Sequence, residues 1–241
     1  MVRAILDRTK TQTRRILSVQ PPADVTSAGV IRSANAQHNG EWHWLTGDPH
    51  DADSWGIVGE PFRCPYGEPG DRLWVKETHA RPAGGLHMVA YKADGECGAW
   101  MGDGDGGLIW NRHGGVVAPG IPQRSASWRG ASFGLEKYGG RWRSPRFMPR
   151  WASRILLTIT DVRVQRLHDI TEEDARAEGA TPNWWADLDP DGERRRIHSI
   201  AYRAGFHELW DTINYKRAMW SSNPWVWAIT FERVEVPCVN A

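Results

Sequence analysis

Cysteine is scarce and scattered: Cys64, Cys97 and Cys238 are the three in 241 residues. An odd, widely spaced set points to neither a disulfide framework nor a zinc site, and it fits reduced thiols in a cytoplasm. No run approaches the roughly 18–20 apolar residues of a membrane span, so no membrane association is expected. Arg3, Asp7 and Arg8 break up the N-terminal apolar stretch, which does not read as a secretory signal. No glycine-rich loop leads into Lys and Ser or Thr, and the glycines of Gly102–Gly107 alternate with acids that repel phosphate. The nine histidines lack paired ligand spacing, and neither the Cys-rich signature of zinc deaminases nor a Gly-x-Ser-x-Gly elbow occurs. An enzyme built on this chain is therefore expected to work with Lys, Thr, Glu and Arg, with no metal and no cofactor.

Lysine is rare too, at five residues against 25 arginines, and tryptophan is abundant at 15. Both enriched types offer flat faces for stacking, and arginine also forks onto phosphate or base edges. A GC-rich genome and a tryptophan-filled core would give the same composition. The rest is ordinary for a soluble globular chain: 40% hydrophobic, 24% charged, formal net charge +1. The length suits one large domain, and we read 1–241 as one, with loop-rich insertions over about 23–69, 94–147 and 183–194.

Val2, Ile5, Leu6 and Thr9 recur at helical spacing and predict a short helix over 2–9. Directly after it stands Lys10-Thr11-Gln12-Thr13-Arg14-Arg15, which reads in isolation as a solvated charge run. Glu41–Leu45 and Gly56–Val58 are short strand candidates within the first insertion. Arg72–Thr78 alternates Leu73 and Val75 with Arg72, Trp74 and Lys76 after a Pro69-Gly70-Asp71 turn, and Met88–Lys92 is its expected partner strand. Ile155–Val164 is the clearest strand of the chain, and Trp225–Val234 ends it with Trp225, Trp227, Ile229 and Phe231 on one side. A longer helix is predicted over about 194–214, weakened in its middle by Gly205.

Between Gly106 and Thr160 the chain carries nine Lys or Arg against one acid, Glu136, with aromatics interleaved. Local basic charge among stacking rings is a footprint of nucleic-acid contact, and a long solvated loop is the plainer alternative. From this region and the strand before it we expect Trp74, Lys76, Arg143, Arg150, Trp151 and Arg154 to contact nucleic acid or substrate.

Ile170-Thr171-Glu172-Glu173-Asp174-Ala175-Arg176-Ala177-Glu178-Gly179 reads as a two-turn helix with Thr171 as N-cap and Gly179 as C-terminal stop. Glu178 falls in the last turn, where the helix dipole disfavours an anion. A carboxylate kept in such a place is a candidate general base; a surface glutamate at a frayed end is the common alternative.

Taken together, Ala4-Ile5-Leu6-Asp7 with Lys10–Arg15 resembles the signature of the ASCH domain family of the PUA-like superfamily. Pro69–Glu77, Met148–Ile155, Ile170–Gly179 and Asn223–Trp227 resemble, in order, further segments of the family, particularly its phage and prophage branch. Where the family usually has a Gly-Arg pair before the lysine, this chain has Arg8-Thr9. The resemblance implies an α+β fold: a mostly antiparallel β-barrel with surrounding helices and a cleft for a base. It implies a nucleoside or single-stranded nucleic acid as partner, and amide hydrolysis at an N-acylated pyrimidine as activity. Non-catalytic reading of RNA or modified DNA bases, or ribonuclease action, is the alternative. Carried over by motif, the catalytic residues fall on Lys10, Thr13 and Glu178, with Arg14 and Arg15 as anion contacts.

Overall fold

The computed structural model describes residues 1–31, 39–47, 56–80, 88–94, 97–102, 108–111, 141–183, 187–188, 194–195 and 201–234. It is a mixed helix and strand fold with antiparallel sheets, one of them strongly curled. The chain, read above as one domain, packs as two compact units. One comprises essentially Arg3–Asp71 with Thr158–Glu232, the other Arg72–Leu157.

In the first unit, helix α1 (Val2–Leu6) is shorter than the 2–9 predicted. Arg8 ends it by taking φ 59°, a left-handed conformation that suits glycine far better than a branched chain. The backbone N–H groups of Thr9 and Lys10 then both donate to the Ala4 carbonyl, so the chain reverses on itself. The charged hexamer, which has no strand signature, continues as strand β1 (Gln12–Ile16). Pairing explains this: β1 runs antiparallel to the last strand, β13 (Trp225–Val234), with Gln12 opposite Thr230 and Arg15 opposite Trp227. That strand supplies the hydrogen-bond ladder, and tertiary context overrides propensity. Strand β13 lies between β1 and β10 (Leu156–Arg166), the strand expected at Ile155–Val164.

The two faces of β13 look onto different cores. Val226 joins Leu167, Ile170, Ala175, Phe206 and Trp210 in an apolar cluster built with helices α2 (Glu172–Ala177) and α3 (Tyr202–Asn214). On the other face Trp225 and Trp227 meet Trp42, Trp44 and Phe62, with ring centroids 5.2–5.7 Å apart. These partners come from the predicted insertion 23–69, which is a three-stranded antiparallel sheet of β2 (Val25–Val30), β3 (Trp42–Thr46) and β4 (Gly56–Phe62). The strand candidates Glu41–Leu45 and Gly56–Val58 fall on β3 and β4, and the polar, glycine-rich sequence concealed only β2 of the sheet. The aromatic pairs that hold it are long-range, and such pairs add about 0.5–1.5 kcal/mol each beyond the area they bury.

Helix α3 starts at Tyr202, later than the 194 predicted, because Arg194–Arg195 pairs as β12 with β11 (Asp187–Leu188). Gly205, taken above as a weak point, is a packing requirement. A Cβ there would lie 1.7 Å from the Thr181 carbonyl oxygen, so only glycine lets the helix approach that backbone.

In the second unit, β5 (Arg72–Trp74) covers only the first part of the strand expected at Arg72–Thr78, and Val75 then donates its N–H to the Ile155 carbonyl. Strands β6 (His79–Ala80), β7 (Met88–Tyr91), β8 (Cys97–Gly102) and β9 (Leu108–Asn111) form an antiparallel sheet, and Val89 and Tyr91 pack with Met148 and Ala152. The aromatic and basic residues at 112–140 lie outside the described residues.

Candidate functional site

The Lys10 amine and the Arg14 guanidinium meet two carboxylates from far along the chain, Asp174 and Glu178, at the junction of α1, β1 and α2. Strand alternation puts Lys10, Gln12 and Arg14 on one side of the chain, all of them buried, while Thr13 and Arg15 face the other way. The capped helix α2 delivers the acids. Thr171 Oγ1 accepts the Asp174 N–H at 3.1 Å, as expected of its N-cap, and Glu178 ends the helix before Gly179 turns at φ 74°. Gly179 also lies against Lys10, where a Cβ would come within 3.1 Å of the lysine Cβ. Lys10 and Glu178 form an isolated antiparallel bridge, and Thr11 donates its N–H to Ala177 O at 2.8 Å.

Lys10 Nζ donates to Glu178 Oε2 at 2.6 Å and to its backbone carbonyl at 2.7 Å, with both side chains 4% exposed. Arg14, whose side chain is fully buried, spans both acids: Nη2 donates to Asp174 Oδ2 at 2.7 Å and Nη1 to Glu178 Oε1 at 3.3 Å. Nη1 also bonds Gln12 Oε1, and Gln12 Nε2 in turn donates to Asp174 Oδ1 and Thr230 Oγ1. Arg14 Nε makes no hydrogen bond, and the guanidinium stands 5.8 Å from the Phe206 ring centre. Burial lowers the pKa of Lys10 from its ordinary value; the Glu178 carboxylate opposes this, and Arg15 and Arg14 reinforce it. For Asp174 burial acts in the opposite sense and would raise the pKa, but Arg14, Gln12 and Arg163 outweigh it and hold the carboxyl below the usual range.

An ammonium of lowered pKa against a buried carboxylate can pass a proton between two positions, provided a substrate atom reaches one of them. An open cavity of about 650 Å³ is lined by the sequence neighbours of the pair, and not by Lys10 or Glu178 themselves. Thr9 and Thr11, which flank Lys10, line it, as do Ala177 and Gly179, which flank Glu178. Its other walls carry Arg8, Glu173, Arg176 and Tyr202. Sequence reasoning missed Arg8, Arg176 and Tyr202, because each is an ordinary exposed or half-exposed residue of its own element.

The remaining expected site residues fall elsewhere. Thr13 is not brought to the pair: it shares its face with Ile229, while Lys10, Gln12 and Arg14 project from the other. Arg15, exposed, lies opposite Trp227 on that same Thr13 face. In the second unit Lys76 is exposed, with Nζ 4.9 Å from the Trp74 ring centre. Arg143 and Arg150 are also exposed, and Arg143 exchanges backbone hydrogen bonds with His79. Trp151 belongs to a 3-10 turn over Arg150–Ala152. Arg154, expected to contact nucleic acid or substrate, is instead buried: its guanidinium bonds both oxygens of Glu77 at 2.9 Å and both of Asp94 at 2.8 and 2.9 Å, above the Tyr91 ring at 4.0 Å. The buried Glu77 carboxylate holds the arginine away from the surface; burial alone would lower the guanidinium's pKa, but the paired carboxylates outweigh it and raise the pKa.

Among the described residues no group of three or more His, Cys, Asp or Glu could hold a metal ion, and no helix is long and apolar enough to cross a membrane. Comparison of the chain with protein-family models, curated proteins and solved structures gives no match.

Proposed function

We propose that the chain is a nucleoside- or nucleic-acid-binding protein of the ASCH, PUA-like type, and that it hydrolyses the amide of an N-acylated pyrimidine. The observation that carries this reading is the Lys10–Glu178 contact: the two residues that the family-like motifs single out are 168 positions apart, yet meet at 2.6 Å. Water is the nucleophile in this arrangement, since Thr13 faces away. Glu178 takes a proton from the attacking water and delivers it to the leaving ring-amine nitrogen as the acyl C–N bond breaks. Lys10, with its ammonium against that carboxylate, stabilises the anionic oxygen of the tetrahedral intermediate. The products are the free carboxylic acid and the unmodified amino-pyrimidine.

The test is incubation with N4-acetylcytidine, with cytidine, and with RNA and single-stranded DNA, reading products by mass spectrometry. Deacetylated cytidine is expected, and Glu178→Gln should lower its formation by about 10²–10⁴-fold while circular dichroism stays native. Bound nucleoside without product would leave a non-catalytic reader, and shortened strands would mean a nuclease. Undiminished turnover in folded Glu178→Gln would remove the pair from the chemistry.

A further inference from the structure

Within the reading just given, we infer that the open cavity lined by the neighbours of Lys10 and Glu178 binds the phosphate-bearing form of the ligand, a cytosine-type nucleotide or the same unit within a strand, in preference to the free nucleoside. Its volume of about 650 Å³ sits within the roughly 300–1,000 Å³ typical of small-molecule sites. The walls come from three segments that are each tied down. The Arg8 turn is held by its N–H to Ile5 O, Thr11 by its N–H to Ala177 O, and Tyr202 by its N–H to the Glu172 carboxylate at 2.7 Å. Glu172 thereby satisfies the start of α3, which has no side-chain cap of its own, and fixes the tyrosine relative to α2.

The chemistry of these walls is specific. Arg8 and Arg176 supply two guanidiniums, each able to fork onto a phosphate. Tyr202 supplies a ring for stacking a base, and Arg176 already stands 5.9 Å from its centre. Glu173 is the single acid of the lining. It would repel a phosphate beside it, but it is suited to accept the exocyclic amine of cytosine, a donor that uracil lacks. In the deacylated product, a base on Tyr202 with its freed amine toward Glu173, and a phosphate on the arginines, uses every charged group that lines the cavity.

The experiment is isothermal titration calorimetry of the full chain with cytidine 5′-monophosphate, cytidine, uridine 5′-monophosphate, inorganic phosphate and a short oligocytidylate. The monophosphate should bind at least about tenfold tighter than cytidine, the equivalent of one good contact. Arg8→Gln and Arg176→Gln should each erase most of that advantage. Glu173→Gln should abolish the preference for cytidine over uridine monophosphate. These are exposed side chains, so folding should survive, and the exposed Arg217→Gln serves as a control that changes net charge outside the cavity. Tighter binding of the oligomer than of the mononucleotide would place the site on a strand.

Equal binding of cytidine and its monophosphate, or phosphate-dependent binding that Arg8→Gln and Arg176→Gln leave intact, overturns the inference. Deacetylation that depends on Glu178 would then still stand. Conversely, arginine-dependent nucleotide binding without hydrolysis upholds the cavity and removes the hydrolase.

Discussion

The buried pair makes a stability prediction that does not depend on any reaction. Replacing Glu178 by Leu leaves the Lys10 ammonium with only the backbone carbonyl of residue 178, in a place where the side chain is 4% exposed. Breaking a buried ion pair in this one-sided way costs about 3–5 kcal/mol. Lys10→Met is milder, since Glu178 keeps Arg14 at 3.3 Å; losing one charged hydrogen-bond partner costs about 1–3 kcal/mol. The double variant Lys10→Met/Glu178→Leu removes both charges, so it should be more stable than Glu178→Leu alone by about 2 kcal/mol. Urea unfolding followed by tryptophan fluorescence measures all three, with the buried Trp42, Trp44, Trp225 and Trp227 as reporters for this unit.

Proton linkage adds an independent check of the same pair. The folded pKa of Lys10 lies below its ordinary 10.5, so between the two values the unfolded chain binds more protons and stability rises with pH. Removing Glu178 removes the influence that opposes the lowering, so in Glu178→Leu that rise should begin at a lower pH than in the parent. Additive single-variant losses to within about 0.5 kcal/mol, or no displacement of the alkaline rise, would refute the reasoning.

Two further predictions concern the support of the site. Gly205→Ala should destabilise at or beyond the upper end of the roughly 1–3 kcal/mol of overpacked cores, because the clash is with the Thr181 backbone rather than a movable side chain; thermal unfolding reads it. Asp174 contributes stability that is present above its ordinary 3.8 and lost as pH falls through its lower folded value. Asp174→Asn should therefore flatten the acid side of the stability–pH curve, measured by urea titration between about pH 2 and 6.

Local order was legible in the chain wherever one short segment carries all the chemistry. The Thr171 cap, the Gly179 stop and the face of Trp225, Trp227, Ile229 and Phe231 are properties of neighbours in sequence, and they stand as read. Lys10 and Glu178 could be picked out separately, by motif and by position at a helix end. Their contact, and its near-complete removal from water, depends on a reversal at Arg8 and on β1 pairing with a strand more than 200 residues away. The same long-range pairing decides that Thr13 faces away from Lys10, since a strand sends alternate side chains to opposite faces.

Charge and exposure were the least legible, because a sequence does not say which arginine meets an acid. Arg14 and Arg154 were read as ligand contacts and are instead buried against carboxylates, while Arg8 and Arg176 line the open cavity. The polar stretch 23–69 shows the same limit. Its strands are held by Trp42 and Trp44 packing on Trp225 and Trp227, partners that only the folded chain brings within reach. The sequence by itself determined the ends of α2, the apolar strand faces and the choice of Lys10 and Glu178. Tertiary structure decided which charges are buried against carboxylates and which line a cavity, because the energy of a charge depends on its burial and its neighbours rather than on its residue type.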